Sequence, residues 1–169
     1  IIFHYTGMKS DQLAIRKLTS FNSKVSCHYY IDKKGNLIQL IPDLYVAWHA
    51  GKSYWKNDKL LNNNSIGIEI SNPGHEHGYK VFNDKQIKCL IKISKNLIKK
   101  YKINIKNILG HSDIAPLRKK DPGEKFPWKL LARKKIGIWH KLNFKKCNEL
   151  RNQEINIKDN IFFKKLKKF

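Results

Sequence analysis

Acidic residues are scarce in this chain: 13 Asp and Glu stand against 35 Lys and Arg, for a formal net charge of +22. Such an excess draws polyanions, whether nucleic acid, anionic lipid headgroups or acidic wall polymers. The lysines are spread through every segment, however, and neither a nucleic-acid motif nor an aromatic stacking pattern accompanies them. A dedicated nucleic-acid-binding role is therefore not expected. Cysteine is scarce too: Cys27, Cys89 and Cys147 lie far apart, with no C-x-x-C. So odd and scattered a set argues against a complete disulfide framework and against a cysteine-based zinc site. No apolar run approaches the ~18 residues of a membrane span. The sequence starts at Ile1 rather than at methionine and reads as a trimmed or processed form, in which a leader or lipid anchor would go unseen. Membrane contact is expected only through such an anchor or through the basic tail.

The 41% hydrophobic content over 169 residues suits one packed domain with a short appendage. Ile1 to Tyr5 reads as a buried strand. Ser10 offers an N-cap to a helix over 11–21, with Leu13, Leu18 and Phe21 on one face. Residues 25–32 alternate like a strand, Lys33-Lys34-Gly35-Asn36 makes a hairpin turn, and 37–41 returns. Residues 45–51 are a short strand or an irregular lining, and 52–64 a polar loop. In the strand 65–71, Ile66, Ile68 and Ile70 share one face, which turns Gly67 and Glu69 to the other. A loop over 72–80 precedes a long helix from Asn83 to about Lys102, with Ile87, Leu90, Ile91, Ser94, Leu97, Ile98 and Tyr101 at helical spacing. Residues 105–110 return as a strand that delivers His111, and a short helix follows near Trp128 to Arg133.

Strands and helices interleaved in this order predict an α/β (α+β) domain: a central mixed β-sheet flanked by helices. It is expected over 1–140. Residues 141–169 form a basic tail in which Ile161, Phe162, Leu166 and Phe169 line one apolar stripe. A small helical module is favoured there over a membrane-surface helix, because so short a stripe more often buries against protein.

The chemistry concentrates between Gly110 and Gly123. An imidazole (His111), an amine (Lys119) and a carboxylate (Asp121) share this one span with Pro116 and Pro122. His111 and Asp121 are able to share a metal ion, and catalytic zinc takes three protein ligands and leaves a fourth position for water. His4, an imidazole inside an apolar strand, is the obvious third ligand. Glu69, on a strand otherwise of Ile and Gly, faces either solvent or a site; its small or polar neighbours Gly67, Ser71 and Asn72 favour a site. Beside a metal, such a carboxylate accepts a proton from the attacking water. Lys119 would offset the charge of a tetrahedral oxyanion, although alone it is one more lysine in a lysine-rich chain. His28 and His49 read as lining the pocket near the metal, with Trp48 as an apolar wall. His75-Glu76-His77 lacks the helical spacing of H-E-x-x-H and carries only a weak metal signal. His140 falls outside the core pattern and is assigned nothing.

Taken together, Phe3-His4-Tyr5-Thr6, Val25-Ser26-Cys27-His28-Tyr29, Ala47-Trp48-His49-Ala50-Gly51, Ser65-Ile66-Gly67-Ile68-Glu69 and Gly110-His111-Ser112-Asp113-Ile114-Ala115-Pro116, followed by Lys119, Asp121-Pro122-Gly123 and Phe126-Pro127-Trp128, resemble the amidase type 2 family of zinc-dependent N-acetylmuramoyl-L-alanine amidases. The resemblance spans roughly 1–139. It implies a mixed sheet flanked by helices, with one Zn²⁺ at the floor of a groove. His4, His111 and Asp121 match the family's metal ligands, Glu69 its general base and Lys119 its transition-state lysine. Relatives of the T7-type lysozyme kind carry a tyrosine before the motif histidine and a cysteine as third ligand. Cys27 and Asp121 hold those positions here, so the chain is similar to the AmpD/AmiD branch, and its loop 72–80 and residues 126–130 to the AmiD side of it.

The expected activity is hydrolysis of the amide between N-acetylmuramic acid and L-alanine in peptidoglycan or muropeptides. The branch implies the cell envelope or periplasm, with the cytoplasm as the alternative. A non-catalytic peptidoglycan recognition module on the same fold is the rival, marked by a missing ligand. A zinc amidase acting on another acyl-peptide would have the same pocket chemistry.

Overall fold

Strands with almost unbroken apolar runs must be covered on both faces, as parallel strands are. The computed structural model describes residues 1–143 and 145. In it, β1 (Ile2–Tyr5), β2 (Tyr29–Ile31), β3 (Leu37–Gln39), β4 (Gly67–Ile70) and β5 (Leu109–Gly110) form a five-stranded sheet in the order β3-β2-β4-β1-β5. β1 runs parallel to β4 and β5, β2 runs parallel to β4, and β3 returns antiparallel beside β2. The mixed α/β sheet flanked by helices is thus the architecture observed.

Alternation along these strands separates two faces. Phe3, Ile31, Ile68 and Ile70 join a core with Ile87, Leu90, Ile93 and Leu97 of the long helix and with Phe126 and Leu131. Burial of each large aliphatic side chain there contributes about 2 kcal/mol. The other face carries Ile2, Ala50, Leu61, Leu109 and Ile114, and a second cluster of Ala14, Cys27 and Tyr30. His4 and Glu69 point to this second side, directly opposite one another in the β1–β4 register.

The helices are α1 (Asp11–Thr19), α2 (Leu61–Asn64), α3 (Asp84–Tyr101), α4 (His111–Ile114) and α5 (Trp128–Arg133). α3 starts where expected because Asn83 and Gln86 close a reciprocal capping box, each side chain accepting from the other's backbone N–H at 3.0 and 3.2 Å. Among the described residues, no helix is long and apolar enough to cross a membrane.

Several local expectations are corrected. α1 stops at Thr19 and buries Ala14, leaving Leu13 49% and Phe21 73% exposed. The helix lies close to the sheet: Asp11 accepts hydrogen bonds from the hydroxyls of Tyr30 and Ser71, and only a small side chain fits beneath. β2 starts at Tyr29 rather than at residue 25, because Ser26 donates to the Trp48 carbonyl instead of to a strand. Residues 105–107 form a 3₁₀ turn capped by the Asn104 side chain, which shortens β5 to Leu109–Gly110. His111 opens α4. Residues Ile1–Ile138 make one compact unit and Trp139–Phe169 a second. The apolar stripe of Ile161, Phe162, Leu166 and Phe169, like Cys147, lies outside the described residues.

Candidate active site

Three elements converge on the second face of the sheet. His4 comes from the middle of β1, His111 from the first position of α4 just beyond β5, and Asp121 from the loop that follows. That loop is held by Ser112 N–H donating to the Asp121 carbonyl at 2.9 Å and by the Tyr79 hydroxyl donating to the Pro122 carbonyl at 2.6 Å. Gly110 makes room for it: a Cβ there would lie 2.6 Å from Pro122 Cδ.

The three side chains are buried and form a tight triangle. His4 Nδ1 lies 2.9 Å from His111 Nδ1 and 3.0 Å from Asp121 Oδ2, and His111 Nδ1 lies 3.1 Å from the same oxygen. Among the described residues, this is the group of His, Cys, Asp and Glu side chains whose ligand atoms are placed to share one metal ion. Ligands at ~2.0–2.1 Å from a tetrahedral zinc ion sit about 3.3 Å apart, so the triangle is close to zinc-sized.

His111 Nε2 lies 3.0 Å from the Ala50 carbonyl, an acceptor only, so Nε2 carries the ring proton and Nδ1 presents a bare lone pair. The Ala50 carbonyl is itself braced by Arg118, which also reaches the Lys52 carbonyl, both at 2.8 Å. Burial drives His4 down to about pKa 4, against the raising pull of Asp121, and holds His49 well below the ordinary imidazole range. Both rings are therefore neutral near pH 7. The residues present fit a cation: nitrogen and carboxylate acceptors face one another at about 3 Å spacing.

Glu69 lies on the wall of the same cavity, whose volume is about 130 Å³ and whose lining includes His4, His49, Trp48, Lys119 and Asp121. Its Oε2 is buried and, among the described residues, has no hydrogen-bond partner. Burial pushes its pKa well above the carboxylate range; Asp121 adds to the rise and Lys119 opposes it. Half-buried Lys119 shares this wall and is anchored by its backbone N–H to the Ala115 carbonyl at 2.9 Å.

Trp48 and His49 line the cavity. His28 does not. Its Nδ1 accepts from the Gly67 N–H at 3.0 Å and its Nε2 donates to the Tyr45 carbonyl at 2.9 Å, so it is a buried brace whose ring packs against His49. Among the described residues, His75-Glu76-His77 joins no metal cluster: His75 instead bridges the Tyr5 hydroxyl and Glu124, each at 2.9 Å. Sequence reasoning missed Tyr5 and Lys17 on the cavity wall, and Ser65, whose hydroxyl reaches His49. Tyr5 was signalled by its place beside His4; neither of the others stands out in a chain rich in lysine and serine.

Sheet and cluster together define an α/β protein with a buried His-His-Asp cluster placed to hold a metal ion. The sequence model of the family described as N-acetylmuramoyl-L-alanine amidase matches residues 1–124, and the chain belongs to that family. It is 39% identical over 151 residues to the N-acetylmuramoyl-L-alanine amidase AmiD of Escherichia coli K12, covering 82% of this chain and 54% of AmiD. Over 105 residues it is 38% identical to the 1,6-anhydro-N-acetylmuramyl-L-alanine amidase AmpD of the same organism, covering 62% of this chain and 55% of AmpD. The solved complex of E. coli AmiD with the substrate anhydro-N-acetylmuramic acid-L-Ala-D-γ-Glu-L-Lys superposes with a TM-score of 0.75 at 36% identity, over 90% of this chain and 63% of that one. The chain thus spans about half the length of the curated relatives it matches.

Proposed function

We propose that this chain is a zinc-dependent N-acetylmuramoyl-L-alanine amidase that hydrolyses the amide between N-acetylmuramic acid and the L-alanine of a stem peptide. The observation that carries the reading is the placement of Glu69. A half-buried carboxylate, whose buried Oε2 has no hydrogen-bond partner among the described residues, stands in register with His4 and shares its cavity.

His4, His111 and Asp121 would hold the ion, which when bound supplies a Lewis acid that polarises the scissile carbonyl and acidifies water. Glu69 takes the proton of the attacking water on its carboxylate and hands it to the leaving alanine nitrogen. Its environment, which raises its affinity for a proton, suits both halves of that transfer. Lys119 sets an ammonium against the oxyanion that develops at the carbonyl. Trp48 supplies an apolar part of the cavity wall.

The likeness to AmiD and AmpD, named for this linkage, supports the substrate assignment. A non-catalytic recognition module would lack one of these groups, and all are in place. We also assign the chain to the cell envelope, on its resemblance to the AmiD side of the branch; fractionation that finds it only in the cytoplasm would refute this. The activity itself is tested by release of free stem peptide from muropeptides. Binding without release would make the chain a recognition module.

A further inference from the structure

His4 is connected to a chain of hydrogen bonds that leads away from the cavity, and its direction follows from its far end. The Ser65 hydroxyl donates its single proton to the Leu61 carbonyl, so toward His49 Nε2, at 3.4 Å, it acts as acceptor. His49 Nε2 must then carry the ring proton, which leaves His49 Nδ1 as a bare acceptor. That nitrogen lies 3.1 Å from His4 Nε2. His4 Nε2 is thereby the donor, and His4 Nδ1 is stripped of its proton and aimed at His111 and Asp121.

The packing shows a built arrangement. The His49 ring lies against Gly67, where a Cβ would meet His49 Cγ at 2.4 Å, and edge-on to both His4 and His28. A strand glycine commonly marks such a close approach. His28 in turn takes the Gly67 N–H, so the glycine is fixed from behind. The carbonyl at the far end belongs to Leu61, a buried residue opening α2.

We infer that His49 is a positioning residue for the metal site: with Ser65 it holds His4 in the Nε2–H tautomer, so that Nδ1 is ready for the ion before the ion arrives. This rests on the zinc reading of the site. It adds that the histidine after Trp48 acts through His4 rather than on substrate. Outer-shell partners of this kind typically change metal affinity by 10- to 100-fold.

The test uses the whole chain, with two readouts besides activity. The first is the zinc dissociation constant by chelator competition; the second is the tautomer of His4 in metal-free protein, from ¹⁵N shifts of its two ring nitrogens. Wild type should show a pyrrole-type Nε2 and a pyridine-type Nδ1. His49→Leu should weaken zinc about 10- to 100-fold and mix the tautomers. His49→Asn, whose side-chain oxygen occupies the place of Nδ1, should restore both. Should His49→Leu fail to fold, Ser65→Ala removes the outer acceptor, along with its bond to the Leu61 carbonyl, and should weaken zinc by about threefold, one modest hydrogen bond's worth. An Nδ1–H tautomer in wild type, or zinc affinity in His49→Leu within twofold of wild type, overturns the inference while leaving the metal site standing. A wild-type chain that takes up no zinc overturns the metal reading itself.

Discussion

His4 Nδ1 and His111 Nδ1 lie 2.9 Å apart although 107 residues separate them along the chain. The parallel pairing of β1 with β5 does this, setting Phe3 opposite Gly110 so that the residue following each, His4 in β1 and His111 at the start of α4, reaches the same point. Asp121 then needs only a short loop to complete the triangle. The candidate metal site is a consequence of strand order, with β1 lying between β4 and β5.

Removal of zinc should therefore loosen the sheet's centre as well as silence the site. An ion that binds only the folded chain stabilises it by about 4 kcal/mol when free ion stands 1,000-fold above its dissociation constant. Thermal unfolding with and without chelator should show this as a fall in Tm. His111→Ala should unfold at the same temperature in both conditions; a chelator-dependent shift that persists in that variant contradicts the ligand set.

Glu69→Gln keeps the shape of the side chain and removes its ability to take a proton. Turnover should drop by about 10²- to 10⁴-fold, the usual weight of general acid–base catalysis. Zinc should remain bound one to one. Steady-state kinetics alongside metal analysis checks both, and wild-type turnover refutes the base assignment.

Gly110→Ala probes the seat of the Asp121 loop. The added Cβ would stand 2.6 Å from Pro122 Cδ, closer than unlinked carbons approach. Overpacking of this sort costs about 1–3 kcal/mol. Chemical denaturation should register that loss together with weaker zinc binding, because the displaced proline carries the ligand before it. Unchanged stability would show that the loop is free to shift.

Asp43 gives the fold an acid-sensitive tie remote from the cavity. Burial alone would raise its pKa, but hydrogen bonds from Tyr29, Lys100 and Tyr101 outweigh burial and hold it below the ordinary value of 3.8. A carboxyl depressed in the folded state adds stability that is present above its unfolded pKa and lost as pH falls through the lower, folded value. Stability should accordingly drop as pH is taken from about 5 to below 3. In Asp43→Asn that part of the slope should flatten, with about 1–2 kcal/mol lost at neutral pH. A variant whose pH profile overlays the wild type would remove Asp43 from the account.

The features legible in the sequence are those that break a pattern. His4 and Glu69 interrupt apolar strands, and the alternation of Ile66, Ile68 and Ile70 puts Glu69 on the face opposite the α3 core. The α3 boundaries were legible for the same reason, since Asn83 and Gln86 are the right residues at the right spacing for a cap. What stayed hidden was tertiary. Leu13 and Phe21 keep helical spacing yet remain exposed, because Ala14 decides how closely α1 approaches Tyr30. His28 and His49 are indistinguishable as strand-like histidines. Only the folded chain shows that one reaches His4 while the other is spent on Gly67 and Tyr45.

The most direct test of the whole account is mass-spectrometric analysis of muropeptides incubated with the chain, zinc-loaded or chelated. The account predicts free stem peptide and intact sugar from the zinc-loaded sample alone, with Glu69→Gln releasing almost none while still holding its ion. Intact muropeptide after incubation with a chain shown to carry zinc, or equal release in the presence of chelator, would contradict it.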